Sequence, residues 1–134
     1  MSKTNAELTV RWMNEVWNER REATVGELLN DESIGHLEGN DTRGAEEFRK
    51  VRATLLSAMP NLRITIEETV AQGDSVVARW SVTAKHSGDG FGFAASGKDV
   101  QFRGMTWFKF KEGRITEAWD AWNQGALIAH LQEK

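Results

Sequence analysis

Asp120 is the residue whose type and neighbours best suit it to moving a proton. The stretch Ile115–Asn123 reads as a strand, in which residues two apart share a face. Ala118 and Trp122 therefore accompany Asp120, while Trp119 and Ala121 point the other way. A carboxylate between apolar neighbours loses hydration, which disfavours the anion and raises the pKa. Such a group can hold or accept a proton near neutrality, as general acid/base chemistry requires. The plainer alternative is a strand aspartate paired with a basic neighbour such as Arg79, placed on the face of Val77, Ser81 and Thr83. His36 and His86 can each donate to a carbonyl or shuttle a proton if they face a pocket. For each alone, a structural histidine beside a turn is the better reading, and His130 reads as a surface or interface residue. The histidine spacing lacks the further ligands that zinc needs, so no metal is expected.

Two kinds of element must position these residues. Thr4 and Glu7 form a capping-box pattern, after which Leu8, Trp12, Met13, Val16 and Trp17 make an apolar stripe over about Asn5–Asn18. A short helix is expected over Ala23–Leu29, an extended piece over Ser33–Leu37, and a turn at Gly39-Asn40-Asp41. A longer helix, Ala45–Ser57, carries Phe48, Val51, Leu55 and Leu56 on one face and is stopped by Pro60. From Leu62 the apolar period changes from 3.6 to 2. Strands are expected from Leu62, over Ser75–Ser87, Val100–Lys111 and Arg114–Asn123, with turns at Gly73-Asp74 and Glu112-Gly113. The glycine-rich segment His86–Gly97 joins the second to the third, and Gln124–Gln132 closes the chain as a helix. Helices first and antiparallel strands after make an α+β fold. No internal repeat or linker divides residues 1–134, which are expected to form one domain.

Composition narrows the function classes. The net charge of −3 argues against nucleic acid as a partner, because phosphate binding needs a concentrated basic surface. There is no cysteine, no bilayer-length apolar run and no apolar secretory stretch in MSKTNAELTV, so a cytoplasmic protein without membrane contact is expected. Six Trp and six Phe without a single Tyr suit an apolar core and an apolar pocket. Trp12, Val16, Phe48, Phe102 and Trp122 are candidate pocket residues, with Trp17, Phe91 and Phe93 also available. Counting from the Gly113 turn places Thr106, Gly104 and Phe102 on the inward face. Trp80 and Trp107 then fall on the outward face, where large aromatics imply a covered surface and hence a homodimer through the sheets.

Several phrases carry a family resemblance. They are His36 followed by Arg43-Gly44-Ala45-Glu46-Glu47-Phe48, then Met59-Pro60-Asn61-Leu62, then Gly73 to Trp80 with Lys85-His86-Ser87-Gly88. Ser96-Gly97-Lys98, Phe110 to Ile115 and Glu117-Ala118-Trp119-Asp120 complete the set. Taken in order they resemble the SnoaL-like branch, named for polyketide cyclases, of the nuclear-transport-factor-2-like superfamily. That resemblance implies a cone-shaped, curved antiparallel sheet with N-terminal helices enclosing an apolar pocket, a cystatin-like roll. It also implies an aspartate at Asp120 that relays a proton during an intramolecular aldol closure of a small apolar carbonyl compound, without a cofactor.

The departures from the family pattern are specific. The cyclases place a histidine on the preceding strand, where Thr106 stands, and a threonine can hydrogen-bond but cannot relay a proton at neutral pH. The similar limonene-epoxide hydrolases use an arginine between two aspartates, matched by Arg79 and Asp120. Ser81 takes the second aspartate's place, and Gly35 and Leu37 replace the tyrosine and asparagine that hold the water. His36 and His86 match histidines common in the family. Three readings follow: a cofactor-free acid/base enzyme with Asp120 as proton shuttle, an epoxide hydrolase, or a small-molecule-binding protein without a reaction.

Overall fold

A computed structural model describes residues 4–133. Helix α1 (Asn5–Met13) starts on the capping box read from the sequence: Glu7 N–H donates to Thr4 Oγ1 and Thr4 N–H to Glu7 Oε1, both at 3.1 Å. It runs into a π-helical turn, Asn14–Asn18, closed by Glu19 N–H donating to Asn14 O. A plain α-helix would set Trp12 and Trp17 well apart around its axis. The wider turn brings both against Phe48, at ring separations of 5.0 and 6.0 Å. Asn18 ends the turn by pairing with the backbone of Ile64, donating to its O and accepting from its N–H at 2.8 Å each.

The remaining elements are α2 (Glu22–Leu28), β1 (Leu29–Leu37), β2 (Asn40–Arg43), α3 (Gly44–Ala58), β3 (Arg63–Gln72), β4 (Ser75–Lys85), β5 (Asp99–Lys111), β6 (Arg114–Trp122) and α4 (Gln124–Gln132). Glu112 and Gly113 both take positive φ, the pairing that suits a two-residue hairpin turn between β5 and β6. The six strands form one curved, unclosed sheet in the order β2-β1-β6-β5-β4-β3. The α+β class and the curved sheet agree with the sequence reading. One pairing departs from the expected antiparallel pattern: β1 runs parallel to β6. Because β1 reaches β6 only after the whole helix-and-meander crossover, nothing local in the sequence specifies that direction.

The helices cover one face of the sheet, with α1 and the π turn over β3 and α3 over β1 and β2. Beneath them lie Val76, Ala78, Trp80, Val82 and Ala84 of β4, and Val100, Phe108 and Phe110 of β5. Trp80 therefore faces inward, at 5% exposure, not outward as expected. The alternation of β4 itself demands this, since the opposite face would bury Arg79 and Lys85. Met105, Trp107 and Trp119 remain exposed on the outer face. Among the described residues no helix is long and apolar enough to cross a membrane.

Candidate functional site

Between the helices and the inner face lies an apolar cavity of about 100 Å³. Trp12, Trp17 and Phe48 bound it from the helices, and Trp80, Phe102 and Trp122 from the sheet. Phe102 and Trp122 stack at 4.8 Å with their planes 20° apart, and Trp80 meets both edge-on. Among the described lining residues Asp120 is the one ionisable side chain.

The hairpin of β5 and β6 sets Asp120 directly across from Thr106. Thr106 Oγ1 donates to Asp120 Oδ1 at 2.7 Å, and Trp80 Nε1 donates to Thr106 Oγ1 at 3.0 Å. Burial pushes the Asp120 carboxyl up to about 6 from 3.8. The Thr106 hydrogen bond pulls it down, and the nearby Glu38 carboxylate adds to the rise. Glu38 lies in the turn between β1 and β2 and accepts the Trp122 N–H at 2.9 Å, which holds that turn over the end of β6. A carboxyl poised near 6 in an apolar wall can give or take a proton at neutral pH.

The other expected site residues divide. Trp12, Phe48, Phe102, Thr106 and Trp122 line the cavity with Asp120. Val16 is fully buried behind it, its carbonyl accepting from Arg52 Nε at 3.1 Å. Gly104 faces inward below Trp80 and lies outside the cavity lining. Arg79 is half exposed on the outer face, 3.6 Å from Glu68, so it is no neighbour of Asp120. Ser81 shares that outer face and donates to Glu67 at 2.7 Å.

Neither histidine reaches the cavity. His36 stacks on Trp119 at 5.3 Å outside the sheet, with Nε2 2.6 Å from Glu117 and Nδ1 3.3 Å from Asp41. The Glu117 hydrogen bond, and then Asp41, hold its pKa above 6.5. His86 is fully buried among Phe91 and Phe93. Its Nδ1 accepts from Ser96 N–H at 3.0 Å and pairs with Ser96 Oγ at 2.9 Å, which pins the segment between β4 and β5. Among the described residues no three His, Asp or Glu side chains assemble into a metal-ligand set.

Sequence reasoning missed two residues. Glu38 is one, since its approach to Asp120 depends on the non-local pairing of β1 with β6. Thr42 on β2 is the other: it lines the cavity at 5% exposure. Gly35, its register partner, makes room for it, because a Cβ there would lie 2.8 Å from Thr42 Oγ1. The signal available was Gly35 itself, a glycine inside a strand, which marks a close approach.

A sequence model described as SnoaL-like polyketide cyclase matches residues 7–131. No curated protein matches significantly. Among solved structures, a protein from Jannaschia sp. CCS1 provisionally assigned as a SnoaL-like polyketide cyclase superposes with a TM-score of 0.89 at 19% identity, covering 100% of this chain and 99% of that one. IdmH from Streptomyces antibioticus, provisionally assigned as a polyketide cyclase, gives 0.84 at 20% identity over 98% and 100%. A protein from Acidithiobacillus ferrooxidans with the same provisional assignment gives 0.78 at 25% identity over 98% of each chain.

Proposed function

Because the chain belongs to the SnoaL-like polyketide cyclase family, we propose that it is a cofactor-independent acid/base enzyme acting on a small apolar carbonyl compound. One observation carries this reading: a carboxyl raised to about 6 by burial in the wall of an apolar cavity. In an intramolecular aldol closure, Asp120 takes the proton from the carbon beside one carbonyl. The resulting enolate carbon bonds to a second carbonyl carbon within the same molecule, and the new alkoxide takes the proton back from Asp120. Enolisation alone is the first half of the same sequence. Thr42 offers a hydrogen bond to a further substrate oxygen, away from Asp120. The tryptophan and phenylalanine walls exclude water and so prevent premature quenching of the enolate.

The epoxide-hydrolase reading needs an arginine in contact with the reacting water. Arg79 lies on the far side of the sheet from the cavity, which weighs against it. A test compares wild type with Asp120→Asn on polycyclic ketoesters and on epoxides. The expected outcome is loss of ketoester turnover by roughly 10²–10⁴-fold, with ligand binding retained in the variant. Unchanged turnover in Asp120→Asn, or no turnover by wild type in either substrate class, would sink the proposal.

A further inference from the structure

Trp80 donates to Thr106 and not to the carboxyl group, yet its indole bears on the arrangement of protons there. An indole N–H is a donor only, and a threonine hydroxyl owns one proton. With Trp80 Nε1 3.0 Å from Thr106 Oγ1, the threonine oxygen accepts. Its own proton is then directed to Asp120 Oδ1, 2.7 Å away. We infer that Trp80 is a positioning residue: by donating to Thr106 it commits the threonine proton to Oδ1 of Asp120, leaving Oδ2 as the oxygen that carries the carboxyl's own proton.

The surroundings hold Trp80 to this task. Its ring passes over Gly104, where a Cβ would come within 2.7 Å of both the indole and Trp122 Cβ. Phe102 and Trp122 flank it at 6.2 and 6.4 Å. Thr106 is itself 3% exposed, so water does not readily substitute for the indole. Of the charged groups nearby, Glu38 approaches Asp120 from the turn between β1 and β2. Arg79 on β4, Arg103 and Lys109 on β5 and Glu117 on β6 stand outside the cavity lining, and α1 and α3 present Trp12, Met13, Phe48 and Leu55. Thr106 therefore has two partners with fixed roles, one above it that donates and one beside it that accepts.

The catalytic meaning of this arrangement rests on the proton-shuttle reading of Asp120, but the arrangement itself is tested in the resting protein. Carboxyl ¹³C NMR would follow the Asp120 titration in wild type, Thr106→Val, Trp80→Phe, the double variant and Thr106→Ser. Thr106→Val removes a bond to the anion, so its midpoint should rise by about one unit. Trp80→Phe frees the hydroxyl to turn and accept from the neutral acid, so its midpoint should rise by roughly half a unit. Because Trp80 acts through Thr106, the double variant should titrate with Thr106→Val alone, and Thr106→Ser should restore the wild-type midpoint. A Trp80→Phe effect that adds in full to that of Thr106→Val, or no effect, overturns the inference. A readout independent of these variants is the Trp80 indole N–H resonance, which should move with the Asp120 titration and lose that movement in Asp120→Asn. An indole resonance flat through that titration likewise overturns it. Full turnover in Asp120→Asn would instead end the proton-shuttle reading and leave these titrations standing.

Discussion

The two faces of the sheet each hold a side chain with a raised pKa, and the causes are opposite. On the inner face, burial opposes the charged form of Asp120, so the neutral acid is favoured. On the outer face, Glu117 and Asp41 favour the charged form of His36. Both shifts are upward, yet one is a carboxyl held against its charge by burial and the other a surface ion pair. The buried group faces a cavity, and the satisfied one faces solvent. A perturbed pKa therefore points to a site when desolvation causes it inside a concave wall, and much less so when exposed partners cause it.

The largest expected effect is on stability against pH. In the unfolded chain the Asp120 carboxyl ionises from 3.8, and in the folded protein only from about 6. Folding therefore loses stability as pH rises through that window and stays lowered above it. The shift corresponds to about 2–3 kcal/mol. Asp120→Asn should be more stable than wild type above pH 6 by up to that amount, with the gap closing below pH 4, as urea denaturation at several pH values would show. A variant less stable at pH 8 would mean that the carboxylate is satisfied and that burial is not the governing cause.

A smaller effect is expected at the inner face. Thr42→Val removes a cavity-facing hydroxyl with little change of shape. It should weaken binding of a cyclic diketone by up to about tenfold while leaving a monoketone of matched size unaffected, read by quenching of tryptophan fluorescence. Equal weakening of both ligands would show that Thr42 contributes shape alone.

The smallest effect belongs to the outer face. Because the folded pKa of His36 is raised, its contribution to stability is complete below 6.5 and disappears as pH rises through the folded value. Glu117→Gln should therefore lower the melting temperature slightly below pH 6.5 and hardly at all at high pH, since exposed ion pairs contribute little. Turnover should not change. Calorimetry at pH 5.5 and 8.5 would detect the difference, and a loss of activity would bring His36 back into consideration as a functional residue.

Alternation within Ala118–Trp122 sets Asp120 inward with Ala118 and Trp122, and this was legible because it is a local periodicity. The helix carrying Phe48 and the stripe through Trp12 were legible for the same reason, being local periodicities. The Glu112-Gly113 turn alone does not set Thr106 opposite: counted from the pair Lys111 and Arg114, Thr106 would face Trp119, and the register shift between Lys109 and Phe110 moves it to Asp120. Arg79 shows the limit of arguing by resemblance. The motif match suggested an arginine near Asp120, whereas the plain alternation Val76, Ala78, Trp80, Val82, Ala84 already made that face the buried one.

The order of elements and the apolar company of Asp120, with Ala118 and Trp122 on its face, follow from local residue patterns. Tertiary structure alone decided the rest. The approach of Glu38 and the opening of Thr42 onto the cavity depend on β1 lying parallel to β6, a pairing across some eighty residues. The crossing of Trp80 over Gly104 to Thr106 depends on the register of β4 against β5, which are joined by the long His86–Lys98 segment and not by a tight turn. Alternation within one strand is written in neighbouring residues. Contacts between strands distant in the chain are set by how the whole core closes around them.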